Sequence, residues 1–218
     1  IGLDMGIVRG LLEDTFSRKK ALLESNYVAV KLGYDYARAH LDCPLPIQLE
    51  KMEPDSPHIL MDGNMSIALG CIYAGATVGA WYPITPATSV MDNFTMLCKR
   101  FRTDPDGSKR FAILQAEDEL AAAGIVVGAG WMGARAFTST AGPGIDLMSE
   151  FIGLAYYTEV PCVFFDIQRT GPSTGMPTRT QQADLLSVAY ASHGDTKHIV
   201  LFPADPEECF YLTIEAFD

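Results

Sequence analysis

The sequence predicts an α/β protein, a parallel sheet with helices on both faces, preceded by a short all-helical segment. Three observations carry this. From residue 58 onward, apolar runs of strand length alternate with longer stretches of helical periodicity. The runs are continuously apolar, the pattern of strands buried on both faces. And 48% of the 218 residues are hydrophobic, enough to bury a sizeable core and to exclude wholesale disorder.

The elements follow in order. Over 7–40, Ile7, Leu11, Leu12, Leu22, Leu23, Val28, Leu32 and Tyr36 recur at helical spacing among Arg, Lys and Glu. Pro44, Pro46, Pro54 and Pro57 then make 41–57 a linker, because proline suits neither a helix interior nor a central strand. A domain boundary is expected near 58, dividing the chain into 1–40, the linker 41–57 and 58–218. Helices are expected at 65–74, 87–100, 118–132, 145–157, 181–191 and 206–216. Strands are expected at 78–84, 111–114, 134–139, 161–167 and 198–202. The segment 103–109 carries Asp-Pro-Asp-Gly turn chemistry.

Sixteen basic against 27 acidic residues leave a formal charge of −11. No Lys/Arg run exceeds Arg18-Lys19-Lys20, so a nucleic-acid face is not expected. No stretch approaches the roughly 18 apolar residues of a membrane span. Five cysteines, Cys43, Cys71, Cys98, Cys162 and Cys209, stand singly without a C-x-x-C pair. That fits reduced thiols in a cytoplasmic protein and offers no iron–sulfur ligation. His193 and His198 alone make a weak zinc motif. The first residues, Ile1-Gly2-Leu3-Asp4, and the last, Phe217-Asp218, read as the interior of a longer polypeptide, so a fragment is expected.

Parallel sheets bind ligands beyond the carboxyl ends of their strands, and four strand-to-helix turns carry unusual residues. In Tyr82-Pro83-Ile84-Thr85-Pro86, two prolines fix the backbone around a threonine; Thr85 could simply cap the next helix, with Pro86 at its first position. In Glu117-Asp118-Glu119, three adjacent acids precede a small-residue helix. They could merely complement the helix dipole, or partial burial could raise one into a range useful for proton transfer. Thr140-Ala141-Gly142-Pro143-Gly144 is a glycine turn whose backbone can approach a ligand closely, or a plain tight turn. It matches neither the nucleotide P-loop nor the dinucleotide fingerprint. In the segment 168–180, Arg169 follows a buried strand, where its fixed fork suits a carboxylate, or serves the loop alone. Asp62-Gly63-Asn64 lacks the leading glycine and the Asn-Asn pair of a metal–diphosphate motif, and is rejected as one.

Taken together and in this order, Tyr-Pro-Ile-Thr-Pro (82–86), Glu-Asp-Glu-Leu-Ala-Ala (117–122), Thr-Ala-Gly-Pro-Gly (140–144) and Gln-Arg-x-Gly-Pro-Ser-Thr-Gly-x-Pro-Thr (168–178) resemble the α subunit of 2-oxoacid:ferredoxin oxidoreductases. The resemblance covers 58–218, and 7–40 resembles the tail of the γ domain that some members fuse ahead of α. It implies that 58–218 is the pyrimidine-binding domain of a thiamine diphosphate enzyme. That enzyme would decarboxylate a 2-oxoacid oxidatively with coenzyme A, yielding acyl-CoA, carbon dioxide and reduced ferredoxin. In the family a glutamate hydrogen-bonds the aminopyrimidine ring and promotes removal of the thiazolium C2 proton. Glu119, with Gly124 and Gly128-Ala129 at the family's offsets, matches that residue; Glu117 does not.

By the same resemblance, Tyr82, Pro83, Ile84 and Thr85 line the cofactor. Thr85, Arg169 and Thr178 bind substrate, Arg169 through the substrate carboxylate. Thr170 departs from the family, where many members carry glycine, and would narrow the pocket. The cofactor would be shared with a β subunit that binds its diphosphate, and Mg2+ and iron–sulfur clusters are expected only in partner subunits. The 168–178 pattern most resembles the 2-oxoglutarate branch. A non-catalytic assembly or regulatory subunit, or another thiamine diphosphate enzyme, stands as the alternative.

Overall fold

The computed structural model describes residues 4–42, 46–47 and 59–218, which fall into two compact units, Ile1–Ile59 and Leu60–Asp218. Most of the expected linker, with Cys43, lies outside the described residues.

In the first unit Asp4 caps helix α1 (Met5–Thr15) by accepting from the Gly6 N–H, and α2 (Lys20–His40) follows. The periodicity of 7–40 therefore belongs to two helices. They part at 16–19, where the Phe16 and Lys19 N–H groups close successive turns on Leu12 and Phe16. Arg9 bridges the pair, holding Glu13 at 3.1 Å and Glu24 at 3.0 Å. Neither helix buries a residue.

The second unit is built on a four-stranded parallel sheet: β1 (Val78–Trp81), β2 (Ala112–Gln115), β3 (Ala136–Thr140) and β4 (Val163–Asp166), in the order β2-β1-β3-β4. Its helices are α3 (Gly63–Tyr73), α4 (Thr88–Phe101), α5 (Glu119–Trp131), α6 (Gly142–Thr158), the short α7 (Leu185–Ala189) and α8 (Pro206–Phe217). The apolar strands place side chains on both faces, as their unbroken hydrophobicity requires. On one face Phe137 of β3 meets Phe94 of α4, Phe165 of β4 and Phe217 of α8 edge-on, with ring centroids 4.8, 5.6 and 6.4 Å apart. Cys71, Val90, Met91 and Leu97 complete that layer. On the other face Ala122 and Ala123 of α5 pack with Ile145, Met148 and Ile152 of α6.

Gly70 lets α3 and α8 close together, since a Cβ there would lie 2.7 Å from Thr213 Cβ and 2.9 Å from the Phe210 carbonyl. Arg102 satisfies carbonyls at the end of α3, donating to Ile72 at 2.7 Å and to Ala76.

Two expected elements differ. Helix α7 spans only Leu185–Ala189 of the expected 181–191, and Asp184 precedes it without a side-chain cap bond. The segment 198–202 is not a strand. His198 spends its N–H on the Ala189 carbonyl, its ring nitrogen contacts the Ala191 carbonyl at 2.9 Å, and Ile199 is almost fully exposed. Among the described residues the segment pairs with no strand, and apolar residues alone do not make a ladder. Nor is any helix among them long and apolar enough to cross a membrane.

Candidate active site

The strand order sets the location. The chain passes from β1 to β2 through α4, then back across β1 to β3 through α5, and on to β4 through α6. With right-handed crossovers, reversing direction sends α4 to one face and α5 and α6 to the other. The carboxyl ends of β1 and β3 flank the resulting crevice, the usual ligand position in open α/β sheets. The four turns singled out from the sequence all leave this edge.

The turn after β1 is held from three sides by donors from three elements. Arg169 Nη1 donates to the Thr85 carbonyl at 2.7 Å, Asn64 Nδ2 to that of Pro86 at 2.9 Å, and Ser139 Oγ to that of Ala87 at 3.4 Å. Asn64 also donates to Ser89 Oγ at 2.7 Å. Three consecutive carbonyls are thus fixed. Thr85 is not a helix cap: α4 begins at Thr88, Ala87 occupies the cap position without a side-chain bond, and Thr88 Oγ1 turns back to the Ile84 carbonyl. Thr85 is exposed, beside exposed Tyr82 and Pro83 and half-buried Ile84. Asp62, by contrast, is a plain N-cap accepting from Met65 N–H at 2.8 Å, and Asn64 beside it serves the turn.

The acid triplet divides its work. Asp118 caps α5, accepting from Ala121 N–H at 2.7 Å, while Glu117 stays exposed. Glu119 is buried, at 8% exposure. It turns toward the α6 turn, where a Cβ on Gly144 would lie 1.9 Å from Thr140 Oγ1 and 3.0 Å from Glu119 Cγ. The bare Gly144 is what lets the glutamate and the threonine converge. Helix α6 itself starts without a side-chain cap.

Arg169 is buried at 6% exposure. Besides Thr85 it donates Nη2 to the Thr174 carbonyl at 2.8 Å, and its Nε is buried without a partner. Its loop closes on itself: Thr170 N–H and Oγ1 both reach the Arg179 carbonyl, at 2.8 and 3.1 Å, and Met176 N–H returns to Thr170. Thr170, the departure from the resembled pattern, therefore serves loop closure. Gly175 is required there, with φ +60° and no room for a Cβ against the Thr170 carbonyl. Thr178 is exposed in the turn after Met176, and the one hydrogen bond found for it is at its carbonyl, from Arg179. An open depression of about 400 Å3 lies beside this loop, lined by Gln168, Thr180, Gln181 and Gln182.

Three more residues of this edge stand out, two of them aspartates that the sequence did not single out. Thr138, fully buried on β3, has an unpartnered hydroxyl. Asp166 at the end of β4 has both carboxylate oxygens buried and unpartnered, and Asp184 has one. Burial, with Asp184 and then Asp146 opposite, pushes the Asp166 carboxyl up to about 7. An acid closing the apolar run Val163-Phe164-Phe165 was the available signal.

Residues 69–218 match the sequence profile of a family described as pyruvate flavodoxin/ferredoxin oxidoreductase, thiamine diphosphate-binding. The chain is 39% identical, over 99% of its length, to 2-oxoacid:ferredoxin oxidoreductase 1, subunit alpha, of Aeropyrum pernix. It is 44% identical, over 72% of its length, to the 2-oxoglutarate synthase subunit KorA of Methanocaldococcus jannaschii. It covers 33% and 41% of those two relatives. Among solved structures it resembles a 2-oxoglutarate:ferredoxin oxidoreductase from Magnetococcus marinus with 2-oxoglutarate, coenzyme A and succinyl-CoA bound. There the TM-score is 0.79 at 35% identity, with all of this chain and 36% of that one covered. The chain thus spans roughly a third of the length of the relatives it matches.

Proposed function

Because the chain belongs to the pyruvate flavodoxin/ferredoxin oxidoreductase thiamine diphosphate-binding family, we propose that 58–218 is the pyrimidine-binding domain of an α subunit that oxidatively decarboxylates a 2-oxoacid, 2-oxoglutarate foremost. The products would be acyl-CoA and carbon dioxide, with electrons passed to ferredoxin. The observation that carries this reading is the buried Glu119 side chain packed, with Thr140, against the bare Gly144 at the crevice where the strand order reverses.

This site fits the pyrimidine half of the cofactor. It offers one buried acid, brought in against the bare Gly144, and an ordered turn from Tyr82 to Thr85 to line a flat ring. Thiamine diphosphate, when bound, supplies the electron sink on which a 2-oxoacid loses carbon dioxide. Glu119 would hold the pyrimidine by a hydrogen bond and move a proton at its carboxyl, in a place where burial keeps water from competing. Arg169 has two donors committed to the Thr85 and Thr174 carbonyls, which fix its plane; its remaining N–H groups, Nε among them, suit a carboxylate. Thr85 and Thr178 add hydroxyls on the two turns that Arg169 and its loop tie together.

The rest of the cofactor site, Mg2+ and the iron–sulfur clusters, is assigned to partner subunits, with a β subunit binding the diphosphate. A cytoplasmic location agrees with the free thiols among the described residues. Residues 1–40 are assigned to the tail of a γ-like domain and 41–57 to a linker. This is supported by the A. pernix alignment running over 99% of the chain where the M. jannaschii alignment spans 72%.

The test is viologen reduction by the full-length protein with its β partner, given 2-oxoglutarate, coenzyme A and thiamine diphosphate. Reduction requiring all three is expected. Bound thiamine diphosphate with no reduction on any 2-oxoacid overturns the reaction class.

A further inference from the structure

Asp166 and Asp184 stand at the two ends of the loop that carries Arg169 and Thr178. Asp166 is the last residue of β4, and Asp184 is the N-cap residue of α7. Asp184 Oδ2 reaches Gly142, two residues past Thr140, which pairs with Asp166 across the sheet. Both oxygens of Asp166 and Oδ2 of Asp184 are buried without a hydrogen-bond partner. A Cβ on Gly142 at the start of α6 would lie 2.8 Å from Asp184 Oδ2, so a larger residue there would push the carboxyl aside. Thr140, the β3 partner of Asp166, lies with Glu119 against Gly144.

Two buried carboxylates held close together repel, whereas one carboxylic acid and one carboxylate make a strong hydrogen bond. We infer that Asp166 and Asp184 share one proton and act as a clasp that closes the base of the loop 167–183 and positions Arg169. The charged groups acting on Asp166 are Asp184 of α7 and Asp146 of α6, both acids, so the shared proton and not a cation balances the pair. Asp166 is a positioning residue: it acts through the loop. The inference of what the clasp positions rests on the proposed function; the clasp itself does not.

The sign of the pH dependence follows from the proton. With the loop closed, Asp166 keeps its proton to about pH 7; with the loop open, it titrates as an ordinary carboxyl near 4. Between those values opening releases a proton, so closure weakens as pH rises, by up to about tenfold per unit, and levels off above about 7.

The experiment is hydrogen exchange in the full-length protein with its partner subunit. Protection of the Thr170, Met176 and Arg179 amides, which bond within the loop, is followed from pH 5 to 8 after correction for intrinsic rates. Protection should fall by up to about a hundredfold from pH 5 to 7 and then flatten. Asp166→Asn, which is permanently neutral, should remove the slope. Asp184→Asn, leaving Asp166 opposite an amide, should move the levelling point to lower pH.

Protection independent of pH in the wild type, or a slope unchanged in both variants, overturns the clasp. In the same complex the KM for the 2-oxoacid should rise over pH 5–7 in the wild type and not in Asp166→Asn. Because exchange needs no turnover, a complex that shows the exchange pattern but decarboxylates no 2-oxoacid keeps the clasp and overturns the functional reading instead.

Discussion

Arg169 reaches back over the end of β3 to donate Nη1 to the carbonyl of Thr85 at 2.7 Å, joining the turn after β4 to the turn after β1. The same guanidinium fixes its own loop through Thr174. A lysine, with its single ammonium, cannot reproduce that planar fork. Arg169→Lys should therefore raise the KM for the 2-oxoacid severalfold while sparing much of kcat. Arg169→Ala should lower kcat/KM further and cost about 3 kcal/mol of stability, the scale of charge-assisted hydrogen bonds lost from a buried site. Steady-state kinetics of the complex and thermal melts measure both; a wild-type kcat/KM in the alanine variant would remove Arg169 from substrate binding.

Glu119→Gln keeps the size and packing of the side chain against Gly144 but removes the proton-transferring group. Turnover should fall by a factor of about 10^2–10^4 with the melting temperature unchanged, the usual range for a lost acid–base group. Unaltered 2-oxoacid turnover in the full complex would refute its role.

Gly144→Ala places a methyl 1.9 Å from Thr140 Oγ1 and 3.0 Å from Glu119 Cγ. Accommodating it must displace both side chains, an overpacking cost of about 1–3 kcal/mol. Calorimetric titration should show weakened thiamine diphosphate binding, accompanied by a lower melting temperature.

Asn64→Asp exchanges the donor that meets the Pro86 carbonyl for an acceptor. Leaving that part-buried carbonyl opposite an oxygen should cost about 1–3 kcal/mol. Because the turn it holds carries Thr85, KM for the 2-oxoacid should rise as well. Asn64→Ser, which retains a donor, should recover part of the loss.

Burial pushes the Cys98 thiol up to about 11 and raises Cys71 well above the ordinary thiol value. Both should resist iodoacetamide at pH 8 until the protein unfolds. Mass spectrometry after timed labelling reads this directly, and labelling of either at the rate of a free thiol would contradict the packing of α3 on α4.

The sheet was legible because strands such as Val163, Phe164 and Phe165 leave no polar alternation to confuse the period. The segment 198–202 carries a similar signature and is not a strand, because pairing depends on what lies beside a backbone. The offsets from Gly124 and Gly128, local information along α5, select Glu119 over Glu117, and the fold buries Glu119 while leaving Glu117 exposed. Thr85 invited a helix-cap reading because a threonine before a proline and a helix usually caps; only the fold shows its carbonyl committed to Arg169. The roles of Asn64, Thr140 and Asp184 were out of reach, since each depends on a neighbour brought close by tertiary packing. Asp166 was half visible, an acid where an apolar strand ends, but its partner lies beyond the whole loop.

Phe137 also bears on the order in which the molecule can be finished. Its three aromatic neighbours come from α4, β4 and α8, and α8 follows all four strands along the chain. During synthesis the complete sheet emerges while one of its faces still lacks the Phe217 ring and the Thr213 side chain that fills the notch at Gly70. Until α8 docks, that face is greasy and open, a natural hold for chaperones and a point of vulnerability to aggregation.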